Sequence, residues 1–300
     1  MSISLRTLSV LCLLPLLVSC AGDDADNRPA AARPTSPASA DETPSPTASP
    51  SPPPPSPSAS PTATGTSARA VYYLADTGFG GPRLYREFHA RPTTTAVVRD
   101  AVTAMLTEQP TDPDYSSLWP KGSAVRGVRL SGATAFVDLS AQAGTANAGA
   151  AAEEASVQQL VYTVTAAAPF VKSVQILIEG KTVNELWGHV DTSKPIARRM
   201  GAEVLGPVWI TRPASGSVKR GGEFGGEATV FEATVSWELL QGGKVVKKGF
   251  TNADMGAPAR GPWNDIADVP PGDYVLRAFE SSAKDGQPTF IDDKPLRVTP

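Results

Sequence analysis

The chain is poor in several things that would narrow its function directly. Two cysteines in 300 residues exclude a disulfide framework, and two histidines leave too few ligands for an all-protein His/Cys metal site. There is no long basic run, and 27 Lys+Arg against 30 Asp+Glu give a formal net charge of −3, which excludes an electrostatic nucleic-acid binder. The apolar run Leu8–Val18, broken by Ser9 and Pro15, falls well short of the roughly twenty residues a membrane-spanning helix needs. Proline is the opposite case. Twelve of the 29 prolines fall between Ala21 and Ala68, which excludes one continuous globular body. Outside that tract, 41% hydrophobic residues leave material for real cores.

Residues 1–19 read as an export signal: Arg6 supplies the charge and the short apolar run forms the middle region. The run ends Leu17-Val18-Ser19-Cys20, which resembles a bacterial lipobox. The resemblance implies cleavage before Cys20 and attachment of diacylglyceryl and palmitate there, placing the chain on the extracytoplasmic face of the cell membrane. Cys12 leaves with the signal, so lipidation of Cys20 also removes a lone thiol from an oxidising compartment. Residues 20–68 are Pro, Ser, Thr and Ala-rich and too poor in apolar side chains to offset the entropy of ordering. As a tether, Ala21–Ala68 reaches roughly 40 Å as a coil and ~150 Å as extended polyproline II.

A first domain is expected over 69–206. Val71–Ala75 and Arg83–His89 read as partner strands. Val98, Ala101, Val102, Met105 and Leu106 share a helix face, capped by Thr94 or Thr95 and stopped by Pro110. Val125–Leu130 and Ala133–Leu139 form a hairpin around Ser131-Gly132. A second helix runs from about Ala150 to Ala168 with Val157, Leu160, Val161, Val164 and Ala168 on one face and Glu153 and Glu154 in its first turn, followed by the strand Val174–Ile178. The order β-β-α-β-β-α-β-β predicts an α+β domain with helices on a mainly antiparallel sheet. The strings Val137–Ser140, Gln159–Thr165, Val174–Lys181 and Asp191–Pro195 resemble the GerM domain of sporulation and spore-germination proteins.

Over 207–300 the helical signals vanish and short alternating strands with regular turns predict an all-β immunoglobulin-like sandwich. Trp209, Phe231, Trp237, Tyr274 and Phe279 are its expected bulky core members. Gly226–Val235, Gly256-Ala257-Pro258 with Gly261-Pro262-Trp263, and Phe279–Gly286 resemble the immunoglobulin-like domain of bacterial spore-germination proteins, in the domain order of that family.

Motifs for chemistry are few. Ser281-Ser282-Ala283-Lys284 fits Ser-x-x-Lys but lacks the companion Ser-Asp-Asn and Lys-Thr-Gly strings. It reads instead as structural, with Lys284 pairing Glu232 or Glu280. His89 and His189 read as surface or partly buried imidazoles, since no Gly-x-Ser-x-Gly accompanies them. Gly78–Pro82 lacks the Lys-Ser/Thr of a phosphate loop and reads as a mobile loop. Arg198 and Arg199, in the basic cluster with Lys194, and Asp254 and Met255, in an exposed loop, are the candidate partner contacts.

These observations predict a non-enzymatic, membrane-anchored envelope lipoprotein without cofactor. Its two modules would bind or scaffold peptidoglycan or an envelope protein, and the GerM resemblance implies self-association as a variant. The alternatives are a small-ligand-binding accessory of a transporter or sensor, with its site in a cleft between the domains, and a cryptic wall hydrolase.

Overall fold

The computed structural model describes residues 65–77 and 80–300. The signal segment, Cys20, nearly all of the tether, and Gly78-Phe79 lie outside the described residues.

The chain opens with two long strands, β1 (Thr66–Asp76) and β2 (Pro82–Pro92), paired antiparallel as a separate ribbon. Helix α1 (Val97–Thr107) follows. Its apolar face is buried as expected, but the cap differs. The residue before the helix is Ala96, and Thr94 bonds the Ala96 N–H and the Asp100 carboxylate instead of capping the helix itself. Next come β3 (Val125–Ser131), β4 (Thr134–Leu139), α2 (Ala150–Ala167) and β5 (Ser173–Ile178). The hairpin β3–β4 is antiparallel, but β4 and β5 run parallel, because α2 carries the chain from one end of the sheet back to the other. Short strands β6 (Lys181–Thr182) and β9 (Ile196–Ala197) border β5, while β7 (Glu185–Leu186) and β8 (Val190–Asp191) pair with each other.

Helix α2 differs from its sequence reading. The expected apolar face is buried, but so is the polar side: Ser156, Gln158, Gln159, Thr163 and Thr165 are all inside. Their side chains satisfy backbone groups that packing would otherwise strand. Thr163 Oγ1 accepts the Tyr72 N–H (3.2 Å), and Gln159 donates to the Tyr72 carbonyl (2.8 Å). The helix thus closes the outer edge of β1 with side chains where another strand would have used backbone.

A short helix α3 (Gly201–Val204) leads into the second domain. Strands β10 (Val208–Arg212), β12 (Glu223–Ala228) and β15 (Gly261–Ile266) form one sheet. Strands β11 (Ser217–Lys219), β17 (Pro288–Thr299), β16 (Gly272–Ser281), β13 (Thr234–Gln241) and β14 (Lys244–Asn252) form the other, in that order. Between them lies an aromatic core without cysteine. Trp237 stands edge-on to Phe224 at 5.1 Å, and its indole N–H reaches Asp265 at 2.7 Å. Gly249 on β14 has no side chain because a Cβ there would sit 2.4 Å from the Trp237 ring.

Trp237 and Tyr274 occupy this core, together with Phe224 and Trp263. Three of the expected members do not. Phe231 is 66% exposed, on the turn before β13. Phe279 is buried but outside the sandwich cluster. Trp209 is buried in the first domain's core, because alternation along β10 turns Val208 and Ile210 into the sandwich and Trp209 the other way.

Candidate functional site

The two cores meet at Gly206. Its N–H bonds the Leu84 carbonyl (3.0 Å), and a Cβ there would lie 2.2 Å from the Tyr85 ring, so only glycine lets the chain pass so close to β2. Trp209 then packs beside Tyr85 (5.7 Å) and Tyr72 (6.3 Å). Arg260, from the loop before β15, lies over the Trp209 ring at 4.8 Å and donates to the Gly206 carbonyl. Burial pulls its guanidinium below the ordinary arginine value.

Beside this aromatic contact lies a polar clamp. Asp292 on β17 is 4% exposed. It accepts the Ile210 N–H (2.6 Å) and the Tyr115 hydroxyl (3.1 Å). Lys294 bonds Asp112 (2.5 Å) and the Tyr115 hydroxyl (2.8 Å), and lies 3.6 Å from Asp292. Tyr115 and Asp112 belong to the first domain's 108–124 segment, so the clamp crosses the junction. Desolvation pushes the Asp292 carboxyl up to about 6, against the opposing pull of Lys294 and the Ile210 N–H. Burial also pushes the Tyr115 phenol up, with the Asp292 and Asp112 charges adding to the effect.

Next to the clamp, residues of β2, β10 and β17 line a mostly apolar groove of about 360 Å³. Arg86 and Phe88, Ile210–Gly216, and Pro295 and Leu296 are among its lining residues.

The residues singled out in the sequence lie elsewhere. Arg198 and Arg199 are engaged within the first domain. Arg198 donates to Thr165 Oγ1 (2.5 Å) and covers the Tyr162 ring, while Arg199 pairs Glu154 and Glu203 at 3.0 Å each. They do not form a free basic patch. Asp254 and Met255 sit on the exposed β14–β15 loop, away from the groove. Glu280 accepts the Phe231 N–H (2.8 Å), and Glu232 is exposed with φ +53°. Lys284 pairs with neither, which corrects the expected ion pair. Its backbone N–H bonds Ser282 Oγ (3.2 Å) in the tight β16–β17 turn, and both carboxylates are left to backbone or solvent. Ser281 Oγ meets Ser236 Oγ (2.9 Å) with no base beside it.

His89 lies between Glu87 (3.0 Å) and Glu108 (2.6 Å), and Tyr73 is within 3.3 Å. His189 contacts Glu153 (2.7 Å), a carboxylate with no exposed side-chain surface at the start of α2. The Ala148 N–H, then His189 and the Gly149 N–H, hold the Glu153 carboxyl below the usual range. Neither imidazole hydrogen-bonds a serine, threonine or cysteine side chain among the described residues. Among the described residues no cluster of His, Cys, Asp and Glu could hold a metal ion, and no helix is long and apolar enough to cross a membrane.

Sequence reasoning missed Arg86, Tyr115, Arg260, Asp292 and Lys294. The one available signal was Asp292-Asp293-Lys294, three charges inside an otherwise regular strand.

The Germane family, described as sporulation and spore germination, matches residues 70–184. The Gmad2 family, the immunoglobulin-like domain of bacterial spore germination, matches residues 207–287. Neither description names a catalytic activity. Among solved structures, the first GerMN domain of the sporulation protein GerM from Bacillus subtilis is similar at 20% identity and TM-score 0.36, covering 44% of this chain and 98% of that one. The tandem GerMN domains of the same protein are similar at 16% identity and TM-score 0.39, covering 68% and 61%. A candidate lipoprotein from Clostridium perfringens is similar at 20% identity and TM-score 0.33, covering 44% and 88%. No curated protein matches the chain. Both families match in sequence order along one chain, a sporulation and spore-germination domain followed by the immunoglobulin-like domain of bacterial spore germination.

Proposed function

We propose that this chain is a non-enzymatic envelope lipoprotein, anchored through Cys20, whose two domains act as one unit that binds or scaffolds a wall or envelope-protein partner. The observation that carries this reading is the junction. Gly206, Trp209, Arg260 and the Asp292–Tyr115–Lys294–Asp112 clamp tie the domains together through buried contacts, where a flexible linker would have served two independent modules. A built unit at the end of a long tether suits display to a partner at a distance from the membrane.

The test is co-sedimentation of the purified protein with peptidoglycan sacculi across a salt series. Saturable retention at physiological salt supports a wall partner. Absence of retention removes the wall and leaves an envelope protein or a second copy, to be resolved by cross-linking in intact envelopes. The anchor is tested separately: Cys20→Ser protein released into the medium supports it, and protein that stays in the membrane refutes it.

One observation favours the small-ligand alternative. The groove beside the clamp has the size of a small-ligand site and is mostly apolar. A ligand-dependent rise in melting temperature would move the reading in that direction.

A further inference from the structure

The outer face of the five-stranded sheet carries an ordered row of charge. Strand pairing aligns Asp293 on β17 with Arg277 on β16, Arg277 with Glu238 on β13, and Glu238 with Lys248 on β14. Paired residues of neighbouring strands point to the same face, so the four side chains form one row. That face is the outer one, because the residues adjacent in sequence, Trp237, Leu276 and Ala278, belong to the sandwich core. Across the sheet the signs run −, +, −, +. The contacts inside the row are long. Arg277 reaches Asp293 at 3.4 Å and Glu238 at 3.9 Å, beyond the roughly 2.7–2.9 Å of a charge-assisted bond. The Arg277 Nε is buried without a hydrogen-bond partner, and Lys248, at the end of the row, is exposed.

The rows on either side are apolar. In one direction Phe250 on β14 and Phe279 on β16 flank Ser236, and Ile291 is the next exposed residue of β17 beyond Asp293. In the other direction Leu240 pairs Val245 and Val275, and Val275 pairs Pro295. Phe250 is 70% exposed, and Val245, Val275 and Ile291 are exposed as well. Four strands ~4.8 Å apart and three rows ~6.8 Å apart make a patch of about 20 Å by 20 Å, a charged stripe between two apolar ones. Apolar exposure gathered on one face in this way marks an interaction surface.

We propose that this face binds a second copy of the chain, packed sheet on sheet about a two-fold axis that runs along the strands between β13 and β16. Such an axis reverses the row of one copy against that of the other. Alternating signs over an even number of strands are the charge complement of their own reversal. Lys248 meets the partner's Asp293, and Glu238 meets the partner's Arg277, each pair occurring twice. The apolar rows meet themselves, with Phe250 against the partner's Ile291 and Val245 against the partner's Pro295. The footprint of about 400 Å² per copy is below the roughly 800 Å² of a standard interface, so the dimer is weak and reversible. The charge row fixes its register. The proposal goes beyond the wall or envelope partner proposed above and does not rest on it.

The test is sedimentation of the full-length protein carrying Cys20→Ser, so that no acyl chain contributes, from about 10 μM to about 300 μM. A monomer–dimer equilibrium should appear across this range. Lys248→Glu sets a carboxylate against the partner's Asp293, and Asp293→Lys sets an ammonium against the partner's Lys248. Each should weaken the dimer at least ~10-fold, with the urea midpoint of each variant confirming its fold. Mixed in equal amounts, the two variants should dimerise with each other to within about 3-fold of the parent affinity, since both contacts then join opposite charges. Lys248 and Asp293 lie three strands apart, ~14 Å within one copy, so this rescue cannot arise inside a single chain. Phe250→Ser, at an exposed position, should weaken the dimer without a change of fold. A monomer at every concentration, a dimer that ignores either charge reversal, or a mixture that fails to recover overturns the proposal. A dimer joined edge to edge through β14 would respond to Lys248→Glu but not to Asp293→Lys, and so counts against it. Sacculus retention is read with the protein below this concentration range, so the two readings fail separately.

Discussion

The sandwich core and the domain junction are both buried and both aromatic, yet they are built by different rules. In the sandwich, Trp237, Phe224 and Trp263 fill space among aliphatic side chains, and the charged group in contact with the cluster, Asp265, satisfies an indole N–H from the rim. In the junction, Trp209, Tyr85 and Tyr115 are interleaved with Arg260, Lys294 and Asp292, groups that lose hydration on burial and recover it only in part. A core of the first kind is the cheaper way to gain stability. The second kind fixes one relative placement of the domains, since each buried charge needs its own partner at its own distance. That difference predicts how each region fails.

The largest loss is expected in the sandwich. Trp237→Ala should cost about 3–5 kcal/mol by leaving a cavity beside Phe224, read as a drop in the urea midpoint. Gly206→Ala forces a Cβ into the Tyr85 ring and should cost about 1–3 kcal/mol. Its signature is different: the two domains should begin to unfold separately, giving two resolved transitions.

A third test uses pH. The Asp292 carboxyl is raised in the fold, so its contribution is fully present below the unfolded value near 4 and is lost as pH rises through about 6. Asp292→Asn should flatten the stability profile between about pH 4 and pH 6, by on the order of 1–3 kcal/mol. Glu153 is buried too, but its carboxyl is lowered by backbone N–H groups and His189, so its contribution is present at neutral pH and is lost on acidification. Glu153→Gln should therefore alter the profile with the opposite sign, at the acid end. Urea titrations at stepped pH separate the two variants. The smallest effect belongs to Lys284→Ala, expected within about 0.5 kcal/mol because the side chain is exposed.

Most of the fold was legible where pattern alone decides it. The 3.6-residue period found α1 and α2, and alternation found β3, β4 and β5 to within a residue or two. The misreadings share one cause, since period tells which residues leave the surface but not which body covers them. Trp209 alternates correctly on β10 yet serves the other domain's core. The polar side of α2 reads as solvated because Gln159 and Thr163 are polar, but the edge of β1 needed hydrogen-bonding groups and took them. The site was less legible. Arg86 reads as one more polar residue in an alternating strand, and only the packing of residues from β2, β10 and β17 around one groove singles it out. Arg198 and Arg199 looked free because two of their acceptors, Thr165 and Glu154, lie more than thirty residues away on α2.

The account depends above all on the junction making one unit of two domains. The five tryptophans report on it directly: Trp119 and Trp187 pack together in the first domain, Trp209 sits at the junction, and Trp237 and Trp263 fill the sandwich. Their indole N–H resonances should be followed through one urea titration of the wild-type protein. The account predicts a common midpoint for all five. Separate midpoints for the Trp119–Trp187 pair and the Trp237–Trp263 pair would contradict it.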